Sequence, residues 1–493
     1  MFRDRIIANG PGLALLVLMA GLGVSSSILV GRFGVLVPVG IVLFVASVIV
    51  LPLSLREAVN RFRTLHKQLT WWHALLLLVL LSGFQFRNRD TQTITHAAVD
   101  TAALYRIALM AITAFVLGAR LVLRRVTFRG SVFRGPVGAL ALYAVICLVS
   151  TLWSVFPLWT LYKSLEYLVD VALLTAILGT FASVESYKSM VDWTWTLYAL
   201  LLVSVWIGAL IWPEEAFQPS GGMIGVQLYG VMPLIHANGV GDLGAIVSIV
   251  ALSRLLGMPS IGTGRPFYAV LFILGLAAMA VAQTRSAILG FLCGLLLLLY
   301  FMRRTTTTGL FIVTVVLLFS LTSAGALTDE YLRRGQNAEL VGSLSGRTYW
   351  WESGWQEFLK SPWAGLGAFT ARFTVLEKLG ARDASTIHNT YLETLLGVGI
   401  IGVIPVVAVF LWTWILLIRE LRKGFENAIR RQLTIEAITV LAILTCTSFF
   451  SVALIVHPDL ASLAVVGYAE LLRRSWKEGN KYSDSSYGYH GTS

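Results

Sequence analysis

The chain has 493 residues, 57% hydrophobic and only 13% charged, with a formal net charge of +12. A soluble protein carries about a quarter charged residues; a mean hydropathy of +0.77 and repeated long apolar runs instead indicate a polytopic membrane protein. The basic residues fall in short loops between those runs, where they encode topology, and this argues against a nucleic-acid partner.

In lipid only a helix satisfies its own backbone hydrogen bonds within one segment, so the predicted fold is an all-α helical membrane bundle. The short alternating segments of a β-barrel are not seen. Met1-Phe2-Arg3-Asp4-Arg5 precedes an apolar run too long for a signal-peptide core, with no small-residue cleavage site, and reads as the start of the first span. Spans are predicted at 11–30, 33–53, 71–86, 101–123, 136–153, 163–182, 191–212, 239–257, 266–283, 286–302, 308–326, 391–418 and 433–456, with a weaker one at 459–472. The total is then about 12 to 14 transmembrane helices. With the N-terminus in the cytoplasm, most of the 38 Lys and Arg residues fall on the cytoplasmic side, and both termini lie there. Cys147, Cys293 and Cys446 lie inside apolar runs without disulfide or metal-ligand spacing.

The segment 327–387 is the one long extracytoplasmic loop, and its Arg333, Arg334, Arg347, Lys360, Arg372, Lys378 and Arg382 run against the charge bias. Within it, SGRTYWWESGWQEFLKSPWAG predicts an amphipathic helix ended by Ser361-Pro362, with Trp350, Trp351, Trp355 and Phe358 at the lipid headgroups. The organisation expected is a single membrane domain over 1–475, followed by a polar, disordered cytoplasmic tail at 476–493.

His388 and Asn389 open an apolar helix notched by Gly397, Gly399 and Gly402. A histidine there marks either an interface or a base. The positive end of a helix dipole disfavours its protonation, and a neutral imidazole can take a proton from a hydroxyl. Asn389 either caps the helix or orients the imidazole or a sugar hydroxyl. Arg347 offers a guanidinium fork suited to phosphate oxygens. Arg285 lies between two apolar runs with almost no loop, so it is either a functional cation or a snorkelling anchor. His236 and Asn238, in VMPLIHANGVGDLGA, and Arg333 are further substrate-binding candidates. Lys163 is another, although its i,i+3 spacing to Glu166 also fits a self-satisfied intramembrane pair. Asp383 is a rival base, and His457-Pro458 reads as a turn. No phosphate-cradling glycine loop, zinc spacing or acidic cluster for a metal is present in the sequence, and no cofactor is expected.

Five strings, TLWSVFPLWTLYKSLEYL, QTRSAILGF, the GR of SLSGRTYWW, SPWAGLGAF and HNTYLETLLGVGIIG, run in order from about 150 to 405. Together the set resembles the O-antigen ligase and polymerase superfamily. The resemblance implies an inverting, metal-independent, multi-span glycosyltransferase of the bacterial inner membrane, with its active site on the periplasmic face. The donor would be an undecaprenyl-diphosphate-linked oligosaccharide, and the acceptor another glycan or lipid A-core. It further implies that Arg285 and Arg347 bind the diphosphate and His388 serves the acceptor hydroxyl. Ser345-Gly346-Arg347 and the HANG segment look more like exopolysaccharide polymerases than ligases. A secondary transporter or lipid-linked glycan flippase is the rival class, but that would place acidic coupling residues at mid-membrane in related halves. A non-catalytic scaffold would leave the outward arginines unexplained.

Overall fold

The fold is given by a computed structural model. It describes residues 54–486 apart from 55, 65–66, 68, 85–99, 124–133, 222–223, 258–263, 303–323, 381–385, 425–426 and 453–458, with side chains described outside 324–328 and 477–486. The described elements are helical apart from one short antiparallel hairpin. Six helices are long and apolar enough to cross a membrane: Thr101–Val122, Gly135–Leu152, Glu185–Ile211, Ala237–Gly257, Gly264–Ala282 and Thr390–Lys423. The chain is therefore the all-α membrane protein its hydropathy predicts. Trp71–Ser82 and Arg285–Phe301 are apolar but shorter. Pro157–Leu178 is long enough, but it carries Lys163, Glu166 and Asp170. The expected spans at 11–30 and 33–53 lie outside the described residues, as do 308–323 of the span expected at 308–326, Asp383 and His457.

The chain divides into two compact units, Met1–Gln68 with Tyr198–Ser345, and Leu69–Leu197 with Gly346–Ser493. In the first, strand β1 (Phe217–Pro219) pairs with β2 (Val226–Leu228). Two helices pack closely beside the hairpin, α1 (Ala237–Gly257) and α2 (Gly264–Ala282). Small residues permit this approach, as is usual between membrane helices: a Cβ on Gly244 would stand 2.5 Å from the Gly275 carbonyl oxygen. After a tight turn follows α3 (Arg285–Phe301), and later α4 (Ala324–Arg333).

The second unit contains α5 (Thr101–Val122), α6 (Gly135–Val149), α7 (Pro157–Leu178), α8 (Arg347–Phe358), α9 (Thr390–Lys423), α10 (Ala428–Thr447) and α11 (Leu460–Ser486). Helix starts follow local chemistry: Asp100 caps α5 through the Ala103 amide and Asn389 caps α9 through the Leu392 amide. Helices α5 and α7 are joined by charge, since Glu166 of α7 accepts from Arg106 of α5 at 3.0 Å; the same carboxylate accepts from Lys163 within α7 at 2.5 Å. Helix α11 continues to Ser486, through part of the stretch expected as a tail.

Helix α9 is broken at Gly399, which has φ 64° and ψ −163°, a region open essentially to glycine alone. The main-chain groups freed by the break are taken up by a strap at 362–367. The Ile400 and Ile401 amides donate to the Pro362 and Trp363 carbonyls at 2.9 and 3.3 Å, while the Leu366 and Gly367 amides donate to the Leu396 and Gly397 carbonyls at 2.8 Å. The other edge of the strap is held by the turn before α7. There Trp153 Nε1 donates to the Ala364 carbonyl at 3.0 Å and the Val155 amide to the Leu366 carbonyl at 3.0 Å. Thr160 Oγ1 donates to the Ala368 carbonyl at 2.9 Å, and Trp159 Nε1 to the Phe369 carbonyl at 3.0 Å. Three strings distant in sequence thus form one hydrogen-bonded assembly beneath the start of α9.

Candidate functional site

Each unit holds a polar centre of its own. In the second unit, α8 begins at Arg347, whose Nη1 donates to the Phe450 carbonyl at 2.7 Å. The same turn after α10 receives the start of α9. The Thr390 amide donates to the Ser448 carbonyl at 3.0 Å, Thr390 Oγ1 to the Ser451 carbonyl at 3.2 Å, and Asn389 Nδ2 to the Phe449 carbonyl at 3.4 Å. Residues 448–451 therefore draw Arg347 and the segment 388–390 together. Trp350, one turn along α8 from Arg347 and on the same face, stacks on the His388 ring with centroids 5.9 Å apart.

His388 has a φ of 55°, a left-handed conformation that costs a non-glycine residue about 1 kcal/mol or more and persists only where neighbours enforce it. The enforcement is visible at Ile387, which is fully buried. Its amide donates to Glu393 Oε2 at 3.1 Å, and its carbonyl accepts from Trp351 Nε1 at 2.9 Å. Glu393 is itself buried, within the field of Arg372, which starts a single wide helical turn, Arg372–Leu376. Phe358, Val375, Leu376, Ile387, Leu392 and Leu396 form an apolar cluster behind this loop, with Trp350 and Trp351 packed against it. Phe358 is thus turned into the core of the unit, whereas Trp355 on α8 is exposed.

Asn389 fills its capping role, with Oδ1 accepting from the Leu392 amide at 3.0 Å. Lys163 is buried and bonded to Glu166. Farther along α8, Glu357 accepts from both Lys360 and Lys378 at 2.8 Å. Burial raises the pKa of this carboxyl, but the two lysines outweigh it and hold the group below its ordinary value.

In the first unit, Arg285 is the first residue of α3, and the turn before it is pinned on several sides. Gln283 Nε2 donates to the Val226 carbonyl at 2.7 Å, Gln227 Nε2 to the Ala282 carbonyl at 3.1 Å, and Thr284 Oγ1 to the Ala237 carbonyl at 3.0 Å. From this base Arg285 Nη2 reaches Gln336 Oε1 at 2.6 Å, and Gln336 in turn bonds Ser345 Oγ at 3.1 Å. Arg333 points elsewhere: it is exposed and paired with Asp329 at 2.7 Å. Its neighbour Arg334, with φ 52°, is the arginine that faces Arg285, Tyr229 and Tyr331. Burial holds its guanidinium below the ordinary arginine range and pushes the Tyr331 phenol up to about 12. Tyr331 donates to the Ala280 carbonyl at 2.8 Å. His236 is exposed, lies edge-on to Tyr229 with centroids 5.1 Å apart, and accepts the Asn238 amide at 3.3 Å. Among the described residues no three His, Cys, Asp or Glu side chains gather to hold a metal ion.

Sequence reasoning passed over Arg334, Glu393 and Gln336. Arg334 carried the same signal as Arg333, a basic residue against the charge bias, and only the helix end chooses between them. Glu393 had one clue: it is a carboxylate within the first turn of an apolar helix.

No curated protein matches the chain. Residues 270–407, a segment that takes in Arg285, Arg347, His388 and Asn389, match the family model described as O-antigen ligase, and this similarity supports the resemblance to the O-antigen ligase superfamily read from the motifs.

Proposed function

We propose that the chain is an inverting, metal-independent membrane glycosyltransferase that transfers a glycan from undecaprenyl diphosphate to an acceptor sugar hydroxyl and so polymerises a cell-surface polysaccharide. The observation that carries the reading is the presentation of His388. It sits at the mouth of an apolar helix in an enforced left-handed backbone, stacked on Trp350 one turn from Arg347. Strain held in place by its surroundings is characteristic of functional positions.

In this reading His388 accepts the proton of the acceptor hydroxyl as its oxygen bonds to the anomeric carbon. The bond from that carbon to the diphosphate oxygen breaks on the opposite face, and the diphosphate leaves with the electron pair. Arg347 neutralises the charge that develops on it, and Arg285 is a separate candidate for binding the diphosphate. Asn389 fixes the helix start behind His388, while His236 and Asn238 contact the glycan. The paired Lys163 neutralises Glu166 within α7, and Arg106 of α5 meets the same carboxylate. The distribution of basic loops supports a bacterial inner-membrane location with both termini cytoplasmic and His388 facing outward.

The test uses purified protein in liposomes with an undecaprenyl-diphosphate-linked oligosaccharide, wild type beside His388→Ala, with and without lipid A-core. A product ladder from the donor alone, lost in the variant, is expected. A single shift that requires lipid A-core would make the protein a ligase. Movement of donor across the bilayer without a new glycosidic bond would make it a flippase, and full activity of His388→Ala would remove the histidine from the mechanism.

A further inference from the structure

The turn after α10 gives its main chain to the candidate site. The successive carbonyls of Ser448, Phe449, Phe450 and Ser451 accept in order from the Thr390 amide, the Asn389 side chain, Arg347 and the Thr390 hydroxyl. Phe449 is fixed in place by this run of bonds, yet its side chain is left open: the residue is 48% exposed. Tyr391 backs the ring, with centroids 5.1 Å apart, and is itself held by Phe410 at 5.9 Å and by Ser448 Oγ, 3.2 Å from its hydroxyl. The ring is therefore both exposed and anchored from behind.

Polar groups stand beside it. The Asn389 amide gives one N–H to the Phe449 carbonyl at 3.4 Å and has a second to offer. Trp350, stacked on His388, donates its indole N–H to no acceptor among the described residues. An open aromatic ring with a few fixed polar groups is the composition of a ligand site. An acyl chain would use the ring and leave the donors unmet, and an anion would use the donors and not the ring. A pyranose uses both, because its weakly positive C–H face packs on the negative face of a ring while its hydroxyls bond at the edge.

We propose that Phe449, backed by Tyr391, is the platform on which the acceptor sugar packs, with Asn389 and Trp350 bonding its hydroxyls and His388 at the reacting one. This rests on the transferase reading and names the acceptor side of that same site.

The experiment titrates the full chain in nanodiscs with two probes: the free oligosaccharide released by mild acid from the undecaprenyl-diphosphate donor, and inorganic diphosphate. Phe449→Ala and Phe449→Leu are both expected to weaken oligosaccharide binding about tenfold, equivalent to about 1.4 kcal/mol, and to leave diphosphate binding unchanged. Phe449→Trp should retain the affinity, since it keeps a π face. In the transfer assay the Ala and Leu variants should raise the KM for the oligosaccharide offered as acceptor about tenfold, with kcat little changed. Phe115→Leu, at an exposed ring on α5, controls for loss of an aromatic elsewhere and should change nothing. If Phe449→Ala folds poorly, Phe449→Leu and Phe449→Trp carry the comparison.

Oligosaccharide binding as tight in Phe449→Leu as in wild type overturns the platform and leaves Phe449 an apolar contact for lipid. An equal loss toward diphosphate overturns it as well, as does a wild type that binds no oligosaccharide. Oligosaccharide binding that depends on Phe449, with no glycan transferred by wild type, leaves the platform standing and the transferase reading refuted. Transfer by wild type, with acceptor KM indifferent to Phe449, refutes the platform alone.

Discussion

Gly399→Ala tests the broken helix most directly. At φ 64° and ψ −163° the backbone is in a glycine-only region, so an alanine costs about 1–3 kcal/mol in conformational strain. Its Cβ would stand 2.3 Å from the Trp363 carbonyl carbon and oxygen and 2.6 Å from the Ala364 nitrogen. These are main-chain atoms, so no side chain can rotate away and the strap itself must retreat. The nearest bonds lost are those of Ile400 and Ile401 to the Pro362 and Trp363 carbonyls, each worth about 0.5–1.5 kcal/mol net. The total is about 2–6 kcal/mol. Two other glycines separate the contributions. Gly424 has φ 80° and no atom within 4 Å of an added Cβ, so Gly424→Ala carries strain alone; Gly118 has open space and a helical backbone, so Gly118→Ala should be neutral or slightly stabilising. Unfolding of the purified chain by SDS titration in mixed micelles ranks the three. A Gly399→Ala cost no larger than that of Gly424→Ala would refute the claim that the strap presses on residue 399.

Glu393→Ala should orphan the buried Ile387 amide and loosen His388, lowering kcat about 100-fold with little change in donor KM; Glu393→Gln, which keeps an acceptor, should recover most of it. An equal loss in both variants would point to the charge of Glu393 instead of its hydrogen bond. In the Arg106–Glu166–Lys163 group, Glu166→Gln should destabilise more than Arg106→Gln, because it removes the carboxylate that both cations share, whereas loss of Arg106 leaves Lys163 paired. The same detergent titration reads this order, and its reversal would refute it. Because the Glu357 pKa is depressed in the fold, its contribution to stability is fully present above the ordinary glutamate value and is lost as pH falls through the lower folded value. Melting temperature followed downward from neutral pH should fall less steeply in Glu357→Gln than in wild type, and parallel profiles would contradict the assignment.

The motifs behind the family resemblance were legible as strings but not as an assembly. TLWSVFPLWTL and SPWAGLGAF are bonded across 211 positions through Trp153 and Ala364, and neither string contains a sign of the other. Gly399 was read as a notch for helix packing. It is instead the point where α9 breaks and accepts the strap, and this could not be foreseen because GVGIIG is equally compatible with an unbroken apolar helix. His388 was legible as a candidate from its position alone, whereas its backbone strain and the bonds of Trp351 and Glu393 to Ile387 were not.

What the amino-acid sequence determined by itself was the class of the protein, the approximate places of its described spans and the residue types able to do chemistry. These are consequences of local hydropathy, since a backbone in lipid must bond within its own segment and a charge there is conspicuous. Only the tertiary structure decided that α9 breaks at Gly399, that Arg334 and not Arg333 faces Arg285, and that Ile387 is gripped from both sides. Each of these depends on which distant carbonyl, ring or guanidinium is brought within hydrogen-bonding or Coulomb range, and short-range periodicity carries no record of that.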